Sequence, residues 1–114
     1  HFAGAFPAWL APVQVKILPV TDRAAEYADS VAAQLDAQGF RVEVDHRSEK
    51  IGKKIREATL EKIPYMLVVG DRDMENGTVS PRRRSGEDLG AMALADFAAR
   101  LKEEVDTKAL DVKE

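Results

Sequence analysis

The chain has 114 residues, 45% of them hydrophobic, with 17 Lys and Arg against 20 Asp and Glu, a formal net charge of −3 and a pI near 5.4. That size suits one compact domain burying roughly two-thirds of its unfolded surface, and the acidic balance argues against a whole-surface polyanion binder. Cysteine is absent, which excludes disulfides, thiolate zinc and cysteine nucleophiles, and no apolar run approaches the roughly 20 residues of a membrane helix, so a soluble, cytoplasmic chain is expected.

The first twelve residues, HFAGAFPAWLAP, lack a periodic pattern and begin without methionine; residues 1–12 read as a connecting arm from a larger protein. VQVKILPV then alternates at Val13, Val15 and Ile17, the period of a strand. Thr21 or Asp22 can cap a helix whose inward stripe is Ala24, Tyr27, Ala28, Val31 and Leu35, with Gly39 as its stop. Phe40, Val42 and Val44 alternate with charged residues in a second strand. Ser48 is placed to cap a second helix burying Ile51, Ile55, Ala58 and Ile63 and ending before Pro64. YMLVVG, residues 65–70, is a continuous apolar run suited to a central strand covered on both faces.

Strand, helix, strand, helix, strand implies parallel pairing through right-handed crossovers. Beyond it, Asn76-Gly77 is a strong type I′ hairpin signal, which predicts antiparallel arms over 72–75 and 78–84, with Pro81 marking an edge or bulge. Leu94, Phe97, Ala98, Leu101 and Val105 form a last helical stripe before a charged tail, 106–114. The fold class is α/β: three layers, a mixed, roughly five-stranded sheet and three flanking helices, with the domain proper over 13–105.

Charge is distributed unevenly. Residues 1–45 hold three Lys/Arg against six Asp/Glu, 46–86 hold ten against six, and 87–114 hold four against eight. A basic face on an acidic body is therefore open to a polyanion. Only His1 and His46 could serve as neutral-pH bases or imidazole ligands, and both read more simply as terminal and surface residues. No GxGxxG, P-loop or GxSxG pattern occurs, so intrinsic catalysis and a metal site are not expected. The cations concentrate at Arg47, Lys50, Lys53, Lys54, Arg56 and Lys62 around the second helix and at Arg82-Arg83-Arg84 on the last arm. As a plain solvated helix face, the first group would hold pairs such as Lys53 with Glu57. In a strand, Arg82 and Arg84 share one face and Arg83 takes the other, so two guanidinium forks could bracket phosphates or a base edge. Asp71, Asp73 and Glu75 form an alternating acidic row that could pair with them or accept from a base.

Taken together, FPAWLAPVQV, EKIGKKIREA, IPYMLVVGDRD, NGTVSPRRR and GEDLG, in this order and spacing over nearly the whole chain, resemble the C-terminal anticodon-binding domain of bacterial threonyl-tRNA synthetases. The resemblance implies a mixed sheet flanked by three helices and a non-catalytic role: gripping the anticodon loop of threonine tRNA and reading its second and third anticodon bases, G and U. It implies anticodon contacts at Ser48, Lys62, Asp73 and Arg82. The family has Asn, Arg and Glu where this chain has Ser48, Lys62 and Asp73, and only Arg82 is retained. Lys50, Lys53, Lys54 and Arg84 would then engage phosphates. It also implies that residues 1–10 end a catalytic domain that holds ATP, Mg and Zn outside this chain, that the parent dimerises through that domain, and that the fragment is monomeric with no DNA or membrane partner. Other readings are the related domains of prolyl-, histidyl- and glycyl-tRNA synthetases, a protein-interaction module on the same fold, and a flavodoxin-like small-ligand binder, which lacks its Gly-rich phosphate loop.

Overall fold

The computed structural model describes residues 7–107, and expectations for residues 1–6 and 108–114 lie outside them. In chain order it contains β1 (Val15–Pro19), a single 3-10 turn (Asp22–Ala24), α1 (Ala25–Ala37), β2 (Val42–Val44), α2 (Ile51–Leu60), β3 (Tyr65–Val69), α3 (Asp71–Asn76), β4 (Thr78–Arg83), β5 (Met92–Ala93) and α4 (Leu94–Asp106). The five strands form one mixed sheet in the order β2-β1-β3-β4-β5. β1 is parallel to β2 and β3, while β4 is antiparallel to β3 and β5.

Strand alternation divides the apolar residues between two cores. On one face Val15, Ile17, Tyr65, Leu67, Val69 and Val79 pack against Ala28, Val31 and Leu35 of α1 and Phe97 and Leu101 of α4. On the other, Leu18 and Met66 lie under Ala58 and Ile63, flanked by Ile51 and Ile55 of α2. With α2 over β1 and β3, the β4 residues on that side, Thr78, Ser80 and Arg82, are only partly covered.

Two helix ends share a design. Gly39 follows α1 with φ 91°, and its N–H and that of Phe40 close on the carbonyls of Asp36 and Leu35. After α2 the N–H groups of Lys62 and Ile63 close in the same way on Thr59 and Ala58, with Lys62 at φ 60°. Both are Schellman caps, and the second places a lysine where glycine is usual. At the other end, Ser48 does not cap α2: the cap position is Lys50, and the Ser48 hydroxyl donates to Asp22 Oδ1 at 3.1 Å.

The expected hairpin does not form. Residues 71–76 are helix α3, and Gly77, at φ 68°, ends it by donating to the Asp73 carbonyl at 2.8 Å. An Asn-Gly pair supplies the left-handed residue of a type I′ turn, but a helix C-terminus needs the same residue. Asp71 and Asp73 lie in the helix's first turn, where acids complement the free N–H groups. β4 pairs instead with β3, and the fifth strand is β5. Pro81 is consequently internal to the sheet. Its carbonyl accepts from Leu89 at 2.9 Å, so its nitrogen faces that irregular side and the β3–β4 ladder loses no donor. No described helix is long and apolar enough to cross a membrane.

Candidate nucleic-acid interface

α2 and β4 border a groove of about 260 Å³ lined by Val20, Ile51, Ile55, Val68, Ser80, Arg82 and Asp88. Val68 faces it because Val68 follows Met66 by two in β3, and Val20 is the exposed residue just past β1. Apolar walls with a few polar groups on the rim suit a flat, unstacked ring.

Arg82 is the guanidinium at this groove. Its Nη1 lies 3.4 Å from Asp88 Oδ2, while its buried Nε has no hydrogen-bond partner among the described residues. The three arginines have separate surroundings. Arg83, on the opposite face, stacks 5.2 Å from the Tyr65 ring centroid and lies 3.7 Å from Glu104. Burial, then the adjacent Glu104, pushes the Tyr65 phenol up to about 12. Arg84, in the turn just after β4, is 9% exposed, and its Nη1 donates to the Lys62 carbonyl at 3.2 Å. That bond supports the left-handed turn at Lys62.

Asp73 is 7% exposed, and both its oxygens are engaged: Oδ2 accepts from Gly70 N–H at 3.0 Å and Oδ1 from the Thr78 hydroxyl at 2.7 Å. It pins the first turn of α3 to the start of β4 and does not stand in an acidic row. Ser48 lies before α2 and Lys62 after it. The helix has ten residues, about 15 Å of length, so these two mark its opposite ends, and Arg82 borders the groove with Ile51 and Ile55.

Lys54 is set apart from the other cations around α2. It is 4% exposed, and its ammonium donates to the carbonyls of Pro19 and Asp45 at 3.1 and 3.2 Å, tying α2 to the ends of β1 and β2. Lys53 pairs with Glu49 at 3.1 Å rather than with Glu57. Glu57 joins Arg47, which also forks onto the buried Asp45 at 2.9 and 2.8 Å. Those Arg47 hydrogen bonds hold Asp45 down at about 2 and lower Glu57 as well. Lys50, Arg56, Lys62 and Arg72 are exposed and have no ion-pair partner among the described residues. The sequence pattern put Ile51 and Ile55 in the buried stripe of α2 and did not mark them, Val20, Val68, Ser80, Asp88 or Arg72 as part of a site. The alternation of Val68 with Met66 was the available signal.

The mixed sheet and the helices on both of its faces define a three-layer α/β domain with a groove between α2 and β4. The chain belongs to the anticodon binding domain family, which it matches over residues 14–104. It is 62% identical over 104 residues to the threonine–tRNA ligase of Xanthomonas campestris pv. campestris (strain B100), covering 91% of this chain. It is 57% identical over 110 residues to that of Syntrophomonas wolfei subsp. wolfei, covering 96%. The chain spans 16% and 17% of the length of these relatives. The crystal structure of the RNA binding domain of threonyl-tRNA synthetase from Cryptosporidium parvum Iowa II is similar with a TM-score of 0.83 at 32% identity, covering 88% of this chain and 25% of that one.

Proposed function

We propose that this domain docks the anticodon stem-loop of threonine tRNA on the α2–β4 face and reads its second and third anticodon bases. The observation that carries the reading is the groove between α2 and β4, apolar along most of its lining and holding the Arg82 guanidinium. A splayed base stacks on such walls while its edge meets the planar fork of the arginine. Arg82 is the principal base reader, with Ser48 and Lys62 engaging nucleotides at either end of α2. Lys50 and Lys53 engage phosphates, whereas Asp73, Lys54 and Arg84 act by holding β4, α2 and the Lys62 turn in place. The parent is a cytoplasmic, homodimeric threonine–tRNA ligase. Its catalytic part, preceding these residues, supplies the sites for ATP, Mg and Zn and the dimer contacts, so this domain alone is a monomer.

The test is a titration of the chain with a labelled threonine anticodon stem-loop and with a version whose second and third anticodon bases are exchanged, at two salt concentrations. Tighter binding of the cognate loop is expected, with Arg82→Ala losing about 1–3 kcal/mol and most of the discrimination. Equal binding that disappears with salt would reduce the role to phosphate contact. No binding of either loop would turn the reading toward a protein-interaction module.

A further inference from the structure

Six glycines lie among the described residues. Gly39, Gly77, Gly86 and Gly90 hold positive φ, and Gly70 is the extended residue before α3, where a β-carbon would make an ordinary contact at 3.5 Å with Val20 Cγ2. Gly52 is the one of them that lies within a helix: it is exposed, sits at the second position of α2, has no positive φ, and a β-carbon there would meet no atom within 4 Å. Glycine is the least favourable helix residue after proline. Here α2 forgoes stability that alanine would supply, and nothing within the described chain accounts for it.

The surroundings of Gly52 point outward. Helical spacing places it beside Ile55 and Arg56, three and four positions on, and Ile51 and Ile55 line the groove. Lys50 and Arg56, two of the exposed cations without an ion-pair partner among the described residues, flank it. The bare Cα thus adjoins the groove residues Ile51 and Ile55, with the exposed Arg56 on its own side of the helix and Lys50 just before α2.

We propose that Gly52 is a close-approach site, where the sugar–phosphate backbone of bound RNA lies directly on α2, nearer than a β-carbon would permit. The proposal rests on the α2–β4 face being the RNA-binding face, and it adds a steric determinant to charge and base reading. Contact at Gly52 brings a phosphate between Lys50 and Arg56 while its base enters the groove. A methyl group would hold the backbone away from both.

Gly52→Ala and Gly52→Leu are compared with the parent chain for thermal stability and for affinity toward the threonine anticodon stem-loop. Gly52→Ala should raise Tm by a few degrees and weaken stem-loop binding about tenfold, as forcing one methyl into a closed contact does. Gly52→Leu should bind more weakly still while melting no lower than the parent. Gain of stability with loss of affinity cannot arise from misfolding. Unchanged affinity in both variants, with the parent binding normally, would overturn the close approach alone. Affinity losses that track a fall in Tm would also overturn it, by making Gly52 a folding requirement. A parent chain that binds no stem-loop would overturn the RNA reading and this proposal with it.

Discussion

Lys62 and Gly39 occupy equivalent positions of the same helix cap, yet only Gly39 takes positive φ without steric cost. A lysine there costs about 1 kcal/mol relative to glycine, and the Arg84 side chain, bonded to its carbonyl, helps to hold it. The cost is consistent with a side chain retained for its ammonium. Lys62→Gly should therefore raise stability by about 1 kcal/mol in urea denaturation while weakening stem-loop binding. Lys62→Ala should weaken binding equally with no gain in stability, because alanine keeps the strain. If Lys62→Gly bound RNA as tightly as the parent, the lysine would have no part in recognition. The Lys62 backbone was not legible in the sequence, since a Schellman cap is normally signalled by glycine and this one carries none.

At the scale of elements, the connection from β2 to α2 decides where Ser48 and Lys50 stand. Asp45 is its junction: its carboxylate accepts the Arg47 fork, its carbonyl accepts Lys54, and its N–H donates to Ile17. The Asp45 carboxyl titrates at about 2 in the fold against its ordinary 3.8, and Glu57 is shifted the same way by Arg47. Depressed carboxylates contribute stability that is fully present above the ordinary value and disappears as pH falls through the folded one. Stability should accordingly decline between about pH 4 and pH 2. Asp45→Asn should flatten that window and lose about 1.5–3 kcal/mol at pH 7, measured by urea denaturation across the range. An unchanged acid limb would mean that other carboxylates govern it. Lys54→Met should lose about 1–3 kcal/mol by leaving two carbonyls without a donor.

Periodicity made the strands and long helices of this region readable, because burial on one face leaves a repeat of two or of three to four. It could not reveal Lys54, since lysine is almost never fully buried without partners and those partners are backbone atoms distant in sequence. The helix α3 was hidden for a different reason: a left-handed Gly77 fits a hairpin turn and a helix end equally, and only the acids at 71 and 73 favoured the latter.

Over the whole molecule, charge is sorted by layer. The α2 layer presents Lys50, Lys53, Arg56 and Lys62 against Glu49, Glu57 and Glu61, while α4, across the sheet, carries Asp96, Glu103, Glu104 and Asp106 against Arg100 and Lys102. A net charge of −3 therefore coexists with one attractive face, and the acidic side opposes binding in the wrong orientation. Segment sums in the sequence indicated this sorting, but not that two of the expected phosphate ligands, Lys54 and Arg84, are buried inside the domain. The distinction is measurable in the salt dependence of RNA binding. Each phosphate contact on a single strand contributes about 0.7 to the slope of log affinity against log salt. Lys50→Ala should lower the slope by that amount and weaken cognate and exchanged loops alike. Lys54→Met, once its lower stability is allowed for by working well below its Tm, should leave the slope unchanged. Lys102→Ala, on the acidic side and paired with Asp106 at 2.8 Å, should alter neither slope nor affinity. A slope that fell equally for Lys50→Ala and Lys102→Ala would mean that RNA senses only the total charge of the domain, and the orientation set by the α2 face would have to be given up.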